Sequence, residues 1–216
     1  MTRIHFLTSN EGKVSEAALH LEPLGYEVVQ LHVDGIVEPQ SDDLETVARA
    51  KIDQAKAHLP TEDAWILVED AGLFVTSLDG FPGVYSAYAL QTIGCPGILR
   101  LLSHLHSEDL KVESGLRAAE FRAVACLHTP HGTMVGHGIC PGRIAAHVDG
   151  EGGFGFDPVF IPRDLDLAGQ PVEAGLQGEV STHGRTFAAV DSATKAAFSH
   201  RTRALTDLLS QVPSNL

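Results

Sequence analysis

The sequence predicts an α/β fold: a central mixed, twisted sheet that carries a long hairpin, is flanked by helices and forms two lobes around a cleft. Three observations predict it. Near the N-terminus an apolar run, a polar loop and a helical pattern follow one another, as where a strand feeds a helix. A second apolar run, Ala64 to Val68, ends on the adjacent acids Glu69 and Asp70. Farther on, Arg117 to His147 reads as two alternating strands joined by a Pro130-His131-Gly132 turn. With 216 residues the chain is long enough for a substantial core. Residues 1–216 are expected to form a single domain whose two lobes share the cleft.

Composition excludes several classes. The net charge is -13, so no nucleic-acid partner is expected, and a phosphate-rich ligand would be held by local groups against the global field. No apolar stretch is long enough to span a bilayer, so no membrane partner is expected. The opening MTRIHFLTSN leads into a strand pattern without a signal-peptide apolar region, and a cytoplasmic location is expected. Cys95, Cys126 and Cys140 are widely spaced, which fits a reducing compartment and offers neither a disulfide framework nor a zinc site.

In order, Ile4 to Leu7 is a short strand. Thr8-Ser9-Asn10-Glu11-Gly12-Lys13 is a polar loop, and Val14, Ala17, Ala18, Leu21 and Leu24 recur at helical spacing before Gly25. Thr8, Ser9 or Asn10 suits the helix N-cap. The same junction suits a phosphate, because a helix start presents unpaired N–H groups and Lys13 adds a point charge. Tyr26 to His32 is a second strand. Ser41 or Asp42 can cap the helix Leu44 to His58; by composition alone Glu38, in the loop before it, is a surface acid, and Lys51, on the helix, a solvated lysine.

The stretch VEDAGLFVTSLDGFPGVYS, from Val68 to Ser86, places Glu69 and Asp70 at a strand end. That position marks a site, or else a solvated terminus. Ala71-Gly72 is read as a turn, with Leu73 to Val75 as a second short apolar piece. Two helical segments follow, Tyr85 to Gly94 and Cys95 to Ser107, kept apart by Pro96. The second hairpin strand is interrupted by Gly136, Gly138 and Pro141-Gly142.

The stretch from Gly150 to Phe160 reads GEGGFGFDPVF. Its glycines let backbone approach a ligand, Phe154 or Phe156 can stack on a base, and Asp157 can accept from ring N–H groups. A glycine turn with core phenylalanines reads equally from the same residues. Residues 163–185 lack periodicity and are read as a surface loop with no catalytic role. In the last stretch Lys195 and Ser199 are one helical turn apart, but Arg201 lies well round a regular helix. A break near Ser199, with Ser199 capping a final helix through Leu205 and Leu209, would change that.

Five of these stretches, in order from Thr8 to Arg201, resemble the motifs of the inosine triphosphate pyrophosphatase family, also called Ham1-like, with a Maf/Ham1-like, anticodon-binding-like α/β fold. Thr8, Asn10 and Lys13 match the family's opening motif, with Glu16 where an acid is frequent. Glu38 corresponds to its second metal-binding carboxylate and Lys51 to a triphosphate-contacting lysine, and Glu69 and Asp70 match its acidic strand. Phe154-Gly155-Phe156-Asp157-Pro158 matches its signature except that Phe156 replaces tyrosine or tryptophan. Lys195, Ser199, His200 and Arg201 match its closing motif.

The resemblance implies hydrolysis of non-standard purine nucleoside triphosphates (ITP, dITP, XTP) to monophosphate and pyrophosphate, which keeps them out of DNA and RNA. It also implies a homodimer. Asp70 would be the general base, with Glu69 supporting it or the metal, and Mg2+ would sit between Glu38 and Asp70. Thr8, Ser9, Asn10, Glu11, Gly12, Lys13, Lys51, the Ala71 backbone, Phe154, Gly155, Phe156, Asp157 and Lys195 would bind substrate, while His200 and Arg201 would read the purine's 6-oxo edge. Ala71 and Tyr88 depart from the residues usual in the family. A Maf-like enzyme acting on pyrimidines and a non-catalytic nucleotide-binding module are the competing readings. The Ser199-His200-Arg201 ending opposes the first, and the presence of both Glu38 and Asp70 opposes the second.

Overall fold

A computed structural model of the chain describes residues 1–212. Along the first half lie β1 (Thr2–Leu7), α1 (Glu11–Leu21), β2 (Tyr26–Leu31), α2 (Leu44–Ala55), β3 (Trp65–Val75), β4 (Pro82–Gly83), α3 (Ser86–Thr92) and α4 (Gly94–Leu101). Then follow α5 (Leu110–Leu116), β5 (Ala118–Thr129), β6 (Gly132–Ile144), β7 (Phe160–Pro162), α6 (Ser192–Phe198) and α7 (His200–Leu209). The hydrogen-bonded strand order is β2-β1-β3-β5-β6-β7, with β4 beside β3. The sheet is mixed: β1 runs parallel to β2 and β3, while β3–β4 and β6–β7 are antiparallel.

The described residues divide into two compact units, one formed by Met1–Ala71, Ala123–Ile139 and residues 200–212, the other by Gly72–Arg122 and Cys140–Ser199. In the first unit, parallel neighbours of β1 require crossover connections, and α1 and α2 supply them. Successive strand residues point to opposite faces. Ile4 and Phe6 of β1 and Trp65 and Leu67 of β3 therefore share one face, where they pack with Ala17 and Leu21 of α1 and Ala204, Leu205 and Leu208 of α7. The β1–β3 register ends at Leu7↔Val68, so Glu69 and Asp70 lie just beyond the carboxyl end of β1. In parallel α/β sheets this is where ligands bind.

α7 lies directly on β6. A Cβ at Gly138 would fall 2.0 Å from the His200 carbonyl oxygen and 2.4 Å from the Ala204 nitrogen, so only glycine admits that approach. Gly138 thus seats the first turn of α7, the turn that carries Arg201.

In the second unit Leu73, Ile98, Leu102, Phe121, Phe160, Phe187 and Phe198 are among the residues of a separate core. Arg117 is buried beside it and spends its guanidinium on backbone. It donates to the carbonyls of Ile144 (2.8 Å), Ala145 (2.6 Å), Leu102 (2.9 Å) and Leu105 (3.0 Å).

Several sequence expectations are corrected. Ala71-Gly72 makes no turn, because β3 runs unbroken from Trp65 to Val75. Gly72 instead makes room for β4, since a Cβ there would sit 2.2 Å from the Gly83 carbonyl oxygen. The division between α3 and α4 falls at Gly94, whose φ is +60°, and Pro96 lies in the first turn of α4, where a missing N–H costs nothing. Asp43, rather than Ser41 or Asp42, caps α2, accepting from the backbone nitrogens of Glu45 and Thr46. β6 continues through its glycines and Pro141. α5, capped by Asp109, was not foreseen. The break expected at Ser199 is present: its ψ of 127° ends α6 before α7 begins.

Gly138→Ala is expected to push α7 off β6 and cost about 1–3 kcal/mol, as overpacking does. Urea denaturation checks this, and an unchanged midpoint would contradict the seating role of Gly138.

Candidate functional site

α1 opens where the sequence places a phosphate-type junction. Asn10 is the N-cap, its side chain accepting from the Lys13 backbone nitrogen at 3.2 Å, and its own N–H donates to Thr8 Oγ1 at 3.1 Å. Gln30 Nε2 donates to the Thr8 carbonyl at 2.8 Å, tying the loop to β2. Ser9 and Glu11 are exposed and Gly12 is half-buried. Glu11, Gly12 and Lys13 form the first turn of the helix rather than the loop; Asn10 takes the Lys13 amide, and the amides of Glu11 and Gly12 are donors that the helix itself does not use.

Lys13 reaches from this turn to β3. Its Nζ lies 2.8 Å from Glu69 Oε2 and donates to the Glu69 carbonyl at 3.2 Å. Arg201, from the first turn of α7, donates through Nη2 to Glu69 Oε1 at 3.0 Å and through Nη1 to Glu16 Oε2. Both Glu69 and Arg201 are 2% exposed. Burial alone would raise the Glu69 carboxyl, but the charges of Arg201 and Lys13 outweigh it and hold the pKa at about 2. Burial likewise opposes the charge of Arg201, yet Glu69 and Glu16 raise its pKa. Glu16 was not among the expected site residues. Its spacing of three from Lys13, on the same side of α1, is the signal that finds it.

The next residue along β3 points to the opposite face. There Asp70 Oδ1 lies 3.7 Å from Lys51 Nζ, and Lys51 also pairs with Glu38 Oε1 at 2.7 Å. Burial pushes the Asp70 carboxyl above its ordinary value, and Lys51 and Lys13 oppose that shift without cancelling it. Burial also opposes the charge of Lys51, but Asp70 and Glu38 outweigh it and hold the ammonium charged. With its side chain 14% exposed, Lys51 is not the solvated surface lysine its sequence context suggests. Two neighbouring carboxyls are therefore driven apart in pKa, Glu69 downward and Asp70 upward, an arrangement that assigns different tasks to chemically similar groups.

Among the described residues no group of three or more His, Cys, Asp or Glu side chains is arranged to hold a metal ion. The pair gathered around Lys51, Glu38 and Asp70, offers hard oxygen donors. Such a pair suits Mg2+, which commonly takes one or two carboxylates and completes its shell with water and substrate phosphate.

In the second unit Lys195 is buried and pairs with Asp157. Its ammonium also sits over the rings of Phe154 (4.7 Å to the centroid) and Phe187 (5.4 Å). Asp157 accepts from the Phe154 backbone nitrogen at 2.8 Å, and the Gly155 φ of +66° is the left-handed conformation that favours glycine. Phe154 is half-buried. Phe156 is packed in the core of the unit, so its role is packing rather than stacking on a base. Ala71 packs against the core of the first unit. His200 is buried at the start of α7.

A family model described as the Ham1 family matches residues 4–211. The chain is 40% identical over 214 residues to a protein of Thermococcus kodakarensis named dITP/XTP pyrophosphatase, covering 99% of each. It is 36% identical to a protein of that name from Pyrococcus horikoshii, covering 99% of this chain and 98% of the other. Among solved structures it is similar to the Staphylococcus aureus Ham1 protein, with a TM-score of 0.67, 26% identity and 97% of each chain covered.

Glu69→Gln removes the countercharge of two cations and is expected to cost about 3–5 kcal/mol, read from urea denaturation at neutral pH. In the unmodified chain the depressed carboxyl of Glu69 contributes stability in full above its unfolded value of 4.5, and the contribution is lost as pH falls toward about 2. The variant's stability curve should lack that acid limb, and a parallel loss in both proteins would contradict the assignment.

Proposed function

From the premise that this chain belongs to the Ham1 family, we propose that it hydrolyses the non-standard purine nucleoside triphosphates ITP, dITP and XTP to the monophosphate and pyrophosphate. The observation that carries this reading is the pair of adjacent carboxyls on β3, one locked as an anion between cations and the other raised in pKa beside a lysine and a second acid. Cleavage between the α and β phosphates needs three things: charge neutralised on the phosphate oxygens, a group to take a proton from water, and a fixed geometry.

Asp70 is the general base. Its raised pKa improves it as a proton acceptor relative to an ordinary aspartate. Glu69 takes no proton; it holds Lys13 and Arg201 in place. Glu38 and Asp70 would hold Mg2+, which when bound would neutralise phosphate charge and make its water more acidic. Lys51 exchanges its carboxylate partners for phosphate oxygens when substrate enters. Lys13 and the first-turn amides of Glu11 and Gly12, with Thr8, Ser9 and Asn10, receive phosphate at the start of α1. In the second unit, Lys195 and Phe154 contact substrate, with Asp157 and Gly155 fixing their loop.

Arg201, held by Glu16 and Glu69, reads the 6-oxo edge with His200. An adenine presents an amino group there, so donor would meet donor, and discrimination follows from the unmet hydrogen bond. In the same reading the protein works as a cytoplasmic homodimer that removes these nucleotides before they enter DNA and RNA.

Pyrophosphate release with Mg2+ is expected to be much faster from ITP, dITP and XTP than from ATP or GTP, and to stop with EDTA. Asp70→Asn should lower kcat by about 100-fold or more, the contribution expected of a general base. The acid limb of the kcat/KM profile should lie above 3.8, the ordinary value for the group. Faster cleavage of a pyrimidine triphosphate, or full activity in Asp70→Asn, would overturn the reading.

A further inference from the structure

The second unit contains a cavity of about 390 Å3, a volume typical of small-molecule sites, and none of its lining residues takes part in the reaction above. β6 contributes Gly142 and Arg143, β7 and the residue after it contribute Ile161, Pro162 and Arg163, and α5 contributes Leu110 and Ser114. The remaining wall is residues 164–184, the segment read from sequence as a surface loop.

That wall is built rather than slack. Leu165 is buried and bridges to Pro171 and Val180. Asp166 accepts from the backbone nitrogens of Ala168 and Gln170 at 2.9 and 2.8 Å. Glu173 pairs with Lys111 at 2.6 Å, and Asp164 accepts from the Gly178 nitrogen at 3.1 Å. The cavity's two acids are thus already engaged.

Its two arginines are not. Among the described residues, neither Arg143 nor Arg163 makes a side-chain hydrogen bond or an ion pair. Elsewhere in this acidic chain Arg3, Arg49, Arg122, Arg185 and Arg201 each hold a carboxylate, and Arg117 holds backbone carbonyls. Burial draws the Arg143 guanidinium below the usual arginine range, and the negative charge of Glu113 offsets this only in part. A partly desolvated guanidinium without an acceptor is the situation that a bound oxyanion relieves.

We propose that this cavity is a second ligand site, which takes the phosphate group of a small phosphorylated molecule on Arg143 and Arg163. The planar guanidinium fork pairs bidentately with phosphate oxygens, and two of them match a dianion. Gln177 and His183 add further nitrogen-bearing side chains to the lining, while Leu110, Ile161, Pro162 and Leu176 offer apolar surface to the organic part of the ligand.

Equilibrium dialysis with radiolabelled inorganic pyrophosphate tests this site separately from the catalytic one. The unmodified chain is expected to bind two pyrophosphates. Arg143→Ala/Arg163→Ala should bind one and keep its rate of ITP hydrolysis, whereas Lys51→Ala should lose the other. Arg143→Lys/Arg163→Lys keeps the charge but loses the fork. It should bind at the second site about tenfold more weakly, the loss of roughly one charge-assisted hydrogen bond, and this variant decides the matter if the alanine pair unfolds the loop. A single pyrophosphate on the unmodified chain, or two bound with unchanged affinity by both arginine variants, would overturn the proposal whether or not ITP is hydrolysed.

Discussion

The buried carboxylate of Glu69 is the constraint on which the first unit depends. A carboxylate withdrawn from water must be met by cations and donors or it will not remain ionised. Glu69 is met on both oxygens, by Arg201 at 3.0 Å and Lys13 at 2.8 Å. Those partners come from opposite ends of the chain. One ion network therefore fixes the first turn of α1 and the first turn of α7 against β3, and Glu16 closes it from α1. The fit also needs α7 to lie close, which the missing side chain at Gly138 allows.

Strand periodicity then does the rest. Because neighbours on β3 face opposite ways, the residue after the locked anion emerges on the face of α2, beside Lys51 and Glu38. A single step along the backbone separates a group that cannot take a proton near neutrality from one that accepts it more readily than a free aspartate. The first holds Lys13 and Arg201 in place, and the second, in the proposed reaction, takes the proton from water. Two acids of similar chemistry gain distinct roles from their surroundings, as in other hydrolytic sites with divided carboxyls.

Much of this was legible in the sequence. The strand–loop–helix at the N-terminus, the long hairpin and the break at Ser199 each have local causes: apolar periodicity, a short polar turn, and a helical register that could not aim Lys195 and Arg201 alike. An N-cap among Thr8, Ser9 and Asn10 belongs to the same class, and the structure gives it to Asn10. What could not be read depended on neighbours distant in sequence. Gly72 looks like a turn residue until β4 is seen against it, and Gly136 and Gly138 of β6 look like interruptions until α7 lies on them. Glu69 and Asp70 looked alike because their difference is one of face. Lys51 looked solvated because Asp70 and Glu38 lie 19 and 13 residues away in sequence. The resemblance to a known family supplied the roles of Glu38, Lys51 and Arg201, which composition and spacing did not.

The division of labour on β3 is most directly measured by carboxyl-carbon NMR titration of the metal-free protein, with Glu69 and Asp70 assigned through Glu69→Gln and Asp70→Asn. The account predicts that Glu69 stays ionised down to about pH 2, while Asp70 takes up its proton above 3.8, the ordinary value for its type. If Asp70 proves the more acidic of the two, Glu69 is not the anchored anion and the assignment of Asp70 as base fails with it.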